Sequence, residues 1–242
     1  MRELRSTPAG WDYAARVADA KARMRAAEAS WGRGGAGVRL LVATKAWDAD
    51  AASAVVRAGA TLVGESRMQE LEAKGPALAA IGARAHVIGQ LQRNKAATAV
   101  RWAECVQTVD SLALAERLSR LCLEAERELD VMIQANVSGE QSKAGVPVGE
   151  ALTLASAVQA LPGLTVTGFM TIGLNSSDEE AVRAGYGALR EVRDRALILA
   201  EQGSVDLREA WELSMGMSND LEWAIAEGAT MVRIGTAVMG QR

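Results

Sequence analysis

The sequence predicts an α/β fold, a single (β/α)8 TIM barrel with one extra helix at its N-terminus. Three observations carry this. Short apolar runs alternate strictly with longer helical patterns along the chain. Eight such units fit into about 200 residues, the size of a small parallel barrel. Polar residues gather at one end of the apolar runs, where the strands of a parallel barrel converge on one mouth. Alternation is informative because parallel neighbours need a crossover, usually a helix. A doubly wound open sheet is the alternative. It has fewer strands and a glycine fingerprint after the first, whereas here the first strand runs into Thr44 and Lys45.

The elements follow in order. A helical pattern rich in Ala and Arg covers about Trp11 to Ala29, ahead of any strand. GRGGAG at 32–37 reads as a linker, since a phosphate loop needs a preceding strand. Residues 1–37 are thus a leading helix and linker of one domain spanning 1–242. The candidate strands are Leu40–Ala43, Thr61–Val63, His86–Ile88, Cys105–Val109, Val131–Val137, Leu164–Met170, Trp211–Leu213 and Met231–Ile234. Helical patterns separate them at Ala49–Ala58, Ser66–Ala80, Leu112–Leu129, Val148–Leu161, Asp178–Glu201 and Asn219–Glu227. Asn94 and Lys95 open a further helix after the third strand.

Composition narrows the function. Hydrophobic residues make up 49% and charged residues 24%, so a sizeable core is expected. A net charge of −3 lacks the basic footprint of a nucleic-acid binder. Two cysteines, Cys105 and Cys122, make no disulfide framework and read as core thiols. One histidine, His86, and no CxxC pair leave little from which to build a zinc site. His86 begins its strand, so a structural role at the end opposite the mouth is expected. The first residues lack the apolar core of a signal peptide, and no run reaches the roughly 18 apolar residues of a membrane span. The expectation is a reduced, cytoplasmic protein with no membrane or nucleic-acid partner. With no heptad seam or dimer stripe, a monomer is expected.

Lysine is scarce, and Lys45 directly follows LLVAT at the end of the first strand. There it points across the barrel mouth over an apolar floor. Desolvation disfavours an ammonium, and a neutral amine is the nucleophile that forms an imine with an aldehyde. The other reading is a lysine that snorkels to the rim and pairs with a carboxylate such as Glu65. Two turns after the last strands suit a dianion. One, WELSMGMSND, carries Ser214 and Gly216, with Ser218 as helix N-cap; the other follows TMVRIG with Gly235 and Thr236. Loops after the seventh and eighth strands are a frequent phosphate position. Arg233 lies within an apolar strand and needs an acceptor, either a carboxylate or a pyridine nitrogen.

At this point the sequence resembles a known family. ATK at 43–45, GES at 64–66 with Gln69 and Glu70, HVIGQLQRNK at 86–95, NVSGEQSKAG at 136–145, GFMTIG at 168–173, LSMGMSND at 213–220 and VRIGTAVMG at 232–240 closely resemble the pyridoxal phosphate homeostasis proteins of the YggS/PROSC type. The likeness runs from about Leu40 to Arg242. That family is similar in fold to the alanine racemase N-terminal barrel domain. The resemblance implies pyridoxal 5'-phosphate held as a Schiff base on Lys45. It implies phosphate contacts from Ser214, Gly235 and Thr236, a pyridine-nitrogen contact from Arg233, and Met217 near the ring or phosphate loop. It further implies a carrier or buffer in intracellular cofactor homeostasis, with transient contact to apo pyridoxal-phosphate enzymes. Lys143 lies within one motif and reads as a solvated loop lysine or part of a secondary site. One departure stands out: where the family reads Gly-Glu-Asn, this chain has Gly64-Glu65-Ser66, so Ser66 meets the cofactor with a shorter group.

The residues argue against the catalytic alternatives. A fold-type III racemase needs a second base opposite the imine lysine. The tyrosines, Tyr13 and Tyr186, lie in helices away from the C-terminal ends of strands. No catalytic residue is assigned on this reading. A metal-assisted lyase or aldolase lacks ligands.

Overall fold

The computed structural model describes residues 4–140 and 144–241. Lys143 lies outside the described residues. Eight parallel strands close into a barrel: β1 (Arg39–Ala43), β2 (Leu62–Glu65), β3 (Arg84–Val87), β4 (Cys105–Val109), β5 (Leu129–Asn136), β6 (Leu164–Met170), β7 (Glu212–Ser214) and β8 (Met231–Ile234). Each pairs with the next in sequence, and β8 returns to β1 through Leu41↔Arg233 and Val42↔Ile234. A two-residue strand, Val146–Pro147, extends the edge of β5 at Ala135 and Asn136. The expected barrel is therefore the observed one.

The helices are α1 (Tyr13–Ser30), α2 (Ala49–Arg57), α3 (Met68–Ala80), α4 (Ala96–Trp102), α5 (Leu112–Glu124), α6 (Val148–Gln159), α7 (Glu179–Glu201), α8 (Leu221–Ala226) and α9 (Thr236–Met239). A 3-10 turn at Arg93–Lys95 leads into α4, as Asn94 and Lys95 suggested. The four-residue α9 was not foreseen. Asp12, Asp48 and Asp178 cap α1, α2 and α7 through their carboxylates. Each such cap is worth about 1 kcal/mol.

Strand alternation divides the core. Val42, Val63, Val87, Val106, Val131 and Val166 face outward against the helices. Leu41, Leu62, Cys105, Met132, Met170 and Met231 form a separate buried cluster that fills the lumen. Both cysteines are free and buried, as expected. In α1, Tyr13, Val17, Ala20, Met24 and Ala27 make one apolar stripe at helical spacing. This stripe packs α1 against α8 and α9, and side chains lock it there. Trp11 Nε1 donates to Val238 O at 3.0 Å, Arg23 Nη1 to Ser218 O at 2.7 Å, and Arg33 Nη1 to Ile225 O at 2.6 Å. Among the described residues, no helix is long and apolar enough to cross a membrane.

Candidate functional site

Past the C-terminal ends of the strands lies a cavity of about 820 Å³, within the roughly 300–1,000 Å³ of small-molecule sites. Six of the seven residues expected at a site line it: Lys45, Ser66, Met217, Arg233, Gly235 and Thr236. Lys45 is half-buried, one residue past Thr44 at the end of β1. Ser66 stands on the adjacent rim after β2, and Gly235 and Thr236 open α9. Residues 172–177, after β6, supply the wall that no strand-end reading identified.

Ser214 is placed differently. It is the last residue of β7, fully buried, and points into the lumen below the cavity. Its hydroxyl donates to Gln107 Oε1 at 2.7 Å and accepts from Arg233 Nη1 at 2.8 Å. The structure thus gives Ser214 a role in holding Arg233 and does not bring it to the wall with Gly235 and Thr236. The same loop corrects a second expectation. Asp220, not Ser218, is the N-cap of α8, and Ser218 lines the cavity instead.

Arg233 carries the electrostatics. Its guanidinium is buried, with Nη1 donating to Ser214 O at 2.7 Å and Nη2 to Thr171 O at 2.7 Å. Among the described residues no carboxylate lies within ion-pair distance of it. Burial lowers its pKa to about 10, against the raising effect of the Tyr186 and Asp220 charges. A cation in this setting keeps donor capacity for a further acceptor in the cavity it lines.

Arg233 is one end of a polar chain through the lumen. Gln107 links Ser214 to His86, with Nε2 2.8 Å from His86 Nδ1. Gln107 Oε1 accepts from Ser214, so its Nε2 donates, and His86 Nδ1 is the acceptor. Burial lowers the His86 pKa to about 3, with the Arg39 and Arg84 charges adding to the effect. His86 is thus a neutral structural residue, although β3 begins at Arg84 and sets it inside the barrel rather than at the rim.

The loop between β7 and α8 is shaped by Gly216, Asp220 and Tyr186. Gly216 has φ +91, and a Cβ there would meet Ala224 Cβ at 2.5 Å, so only glycine fits. Asp220 Oδ1 accepts from the Met217 amide at 2.6 Å, and Oδ2 from the Tyr186 hydroxyl at 2.8 Å. Tyr186 was expected far from the strand ends. Instead α7 brings its hydroxyl beneath this loop and against Gly173, where an added Cβ would lie 2.4 Å away. Burial, then the Asp220 charge, push its pKa up. The proton stays on an oxygen committed to Asp220, so Tyr186 is not a base facing the cavity.

Glu65, the rim partner the sequence offers for Lys45, faces outward from β2 toward Lys74. Its Oε1 takes the Lys74 ammonium at 2.8 Å, and both side chains are fully buried. Burial raises the Glu65 pKa, and Lys74 pulls it back. No group of three or more His, Cys, Asp or Glu among the described residues is placed to hold a metal.

Comparison with known proteins places the chain in a family and agrees with the barrel fold. The family described as alanine racemase, N-terminal domain, matches residues 21–242. A pyridoxal phosphate homeostasis protein of Pseudomonas aeruginosa is 39% identical over 226 residues, covering 93% of this chain and 94% of that one. A protein of unknown function from Bifidobacterium adolescentis superposes with a TM-score of 0.87 at 36% identity, covering 93% of this chain and 94% of that chain. PipY of Synechococcus elongatus, solved with PLP bound, gives a TM-score of 0.78 at 30% identity, covering 95% of this chain and all of that chain.

Proposed function

Because the chain belongs to the alanine racemase N-terminal domain family, and to the pyridoxal phosphate homeostasis proteins, we propose that it binds pyridoxal 5'-phosphate as a Schiff base on Lys45. On this reading it carries or buffers the cofactor in the cytoplasm, as a monomer, without efficient turnover. The observation that carries the reading is Arg233, a buried cation with neutral oxygens as its protein partners, lining the same cavity as Lys45. Arg233 would hold the pyridine nitrogen, and Gly235 and Thr236 at the start of α9 would hold the phosphate. Ser218 and the Met217–Asp220 loop complete the phosphate side. Ser66 offers a hydroxyl where the family has Asn. Bound there, the cofactor supplies an aldehyde for reversible condensation with an amine. An arginine at the ring nitrogen leaves the ring unprotonated, and so a poor electron sink. That narrows the carbanion chemistry the ring could support, and Tyr186, engaged with Asp220, is not set up as a second base. Two buried free thiols suit a reducing compartment. Release takes place in transient contact with apo pyridoxal-phosphate enzymes.

The test is a visible-absorbance titration with pyridoxal 5'-phosphate on wild type and Lys45→Ala, followed by borohydride reduction and peptide mapping. Wild type is expected to be labelled on Lys45 alone and Lys45→Ala to remain unlabelled. Label on another lysine removes the Lys45 assignment. Alanine racemisation at ordinary enzyme rates, about 1–10³ s⁻¹, removes the carrier reading.

A further inference from the structure

Helix α3 packs on β2 and β3 and carries Glu70 and Lys74 one turn apart, so both side chains emerge on one face and reach the turn after β1. What they touch is the main chain on either side of Lys45. Lys74 Nζ donates to Thr44 O at 2.8 Å, the carbonyl directly before Lys45. The amide directly after it, Ala46 N–H, donates to Glu70 Oε2 at 2.6 Å. Lys74 also bonds Glu65 Oε1 at 2.8 Å and lies 3.5 Å from Glu70 Oε2. Thr44 Oγ1 donates to the same Glu65 oxygen. The turn is not relaxed: Ala46 has φ 71, in the left-handed region that L residues adopt at a cost and that surrounding contacts must hold.

We propose that Glu70 and Lys74 are positioning residues for the Lys45 amine. By gripping the two peptide groups that flank Lys45 from behind the barrel wall, they fix the direction in which its side chain enters the cavity. The inference rests on the reading of Lys45 as the amine that meets the aldehyde. Neither residue lines the cavity, so neither meets the cofactor. Their effect is confined to where the amine stands, and attack on a carbonyl is steep in that geometry.

The test compares two ligands that differ in one group. Pyridoxal 5'-phosphate reports noncovalent binding plus condensation with the amine. Pyridoxine 5'-phosphate, with an alcohol in place of the aldehyde, reports noncovalent binding alone. The variants are Glu70→Ala, Glu70→Gln, which keeps an acceptor for Ala46 N–H, and Lys74→Met paired with Glu65→Leu. The last pairing removes the Lys74 contact to Thr44 O together with the Glu65 charge, while Glu70 keeps Arg67 Nη1 at 3.3 Å. Dissociation constants are measured on protein shown to be folded by circular dichroism.

Glu70→Ala and the double variant are expected to lose about tenfold or more in affinity for the aldehyde. They should stay within about twofold of wild type for the alcohol, with Glu70→Gln restoring most of the loss. Equal losses for both ligands, or no loss for either, overturn the positioning role. Wild type binding aldehyde and alcohol equally, with Lys45→Ala unchanged, overturns the Lys45 reading itself and the positioning role with it.

Discussion

Tyr186 and Asp220 are joined by a 2.8 Å hydrogen bond from the phenol to Oδ2, while Oδ1 of the same carboxylate takes the Met217 amide at 2.6 Å. One carboxylate therefore ties α7 to the loop that walls the cavity. Tyr186→Phe removes one of its two donors and leaves a charged, buried acceptor short. The expected loss is about 1.5–3 kcal/mol of stability, read as a lower urea midpoint. Weaker pyridoxal 5'-phosphate binding should accompany it, because Met217 and Ser218 lose their anchor. An unchanged midpoint would show that the bond contributes nothing.

Arg233→Lys tests the other side of the site. A lysine has one point charge where arginine has a fork, so it cannot satisfy Thr171 O and Ser214 O together as Nη2 and Nη1 do. Stability should drop by about 1–3 kcal/mol, and cofactor affinity by about tenfold or more. Wild-type affinity in this variant would remove Arg233 from the binding set.

His86 gives a pH signature. Its folded pKa is held near 3, against 6.5 for the free side chain. As pH falls below 6.5 the unfolded chain takes up a proton that the folded chain refuses, so stability is lost in that direction. The expected slope is about 1.36 kcal/mol per pH unit, or about 2 kcal/mol between pH 6.5 and pH 5. The chain has one histidine, so subtracting the unfolding curve of His86→Gln isolates this contribution from the carboxylates. Parallel pH curves for the two proteins would contradict it.

Two glycine substitutions should move stability in opposite directions. A Cβ at Gly89 would lie 2.4 Å from Ser66 O and 2.6 Å from Ser66 Cα, which are backbone atoms with little room to retreat. Gly89→Ala is expected to cost about 1–3 kcal/mol and to weaken cofactor binding by displacing Ser66. Gly149, in α6, has nothing within 4 Å of such a Cβ, so Gly149→Ala should stabilise by about 0.5–1 kcal/mol. Thermal denaturation of the pair checks both.

The barrel was legible in the sequence because its signal is local: alternation of short apolar runs with helical patterns needs no knowledge of distant partners. Lys45, Gly235 and Thr236 were legible for the same reason, since the end of a parallel strand fixes their address. Ser214 was misplaced by a boundary error of one residue. Ending β7 at Leu213 puts Ser214 in the mouth loop, whereas one more residue of strand turns its side chain into the lumen. Gln107, Asp220 and Lys74 carried no local signal. Their contacts to Ser214, Tyr186 and Thr44 span 107, 34 and 30 residues, and only the closed barrel brings these within reach. Tyr186 was discounted as a helical residue, yet helix α7 is what delivers its hydroxyl to the site.

The bracing of α1 against α8 and α9 has a consequence for biosynthesis. The contacts of Trp11, Arg23 and Arg33 reach 227, 195 and 192 residues ahead in the chain. Until α8 and α9 have been made, the apolar stripe of α1 lacks most of the surface it finally packs on. Ring closure between β1 and β8 waits for the same stretch of chain, so contacts of high sequence separation complete the fold. Ligand uptake therefore waits on the segment that carries Ser218, Gly235 and Thr236, although Lys45, Ser66 and residues 172–177 of the same cavity are made earlier.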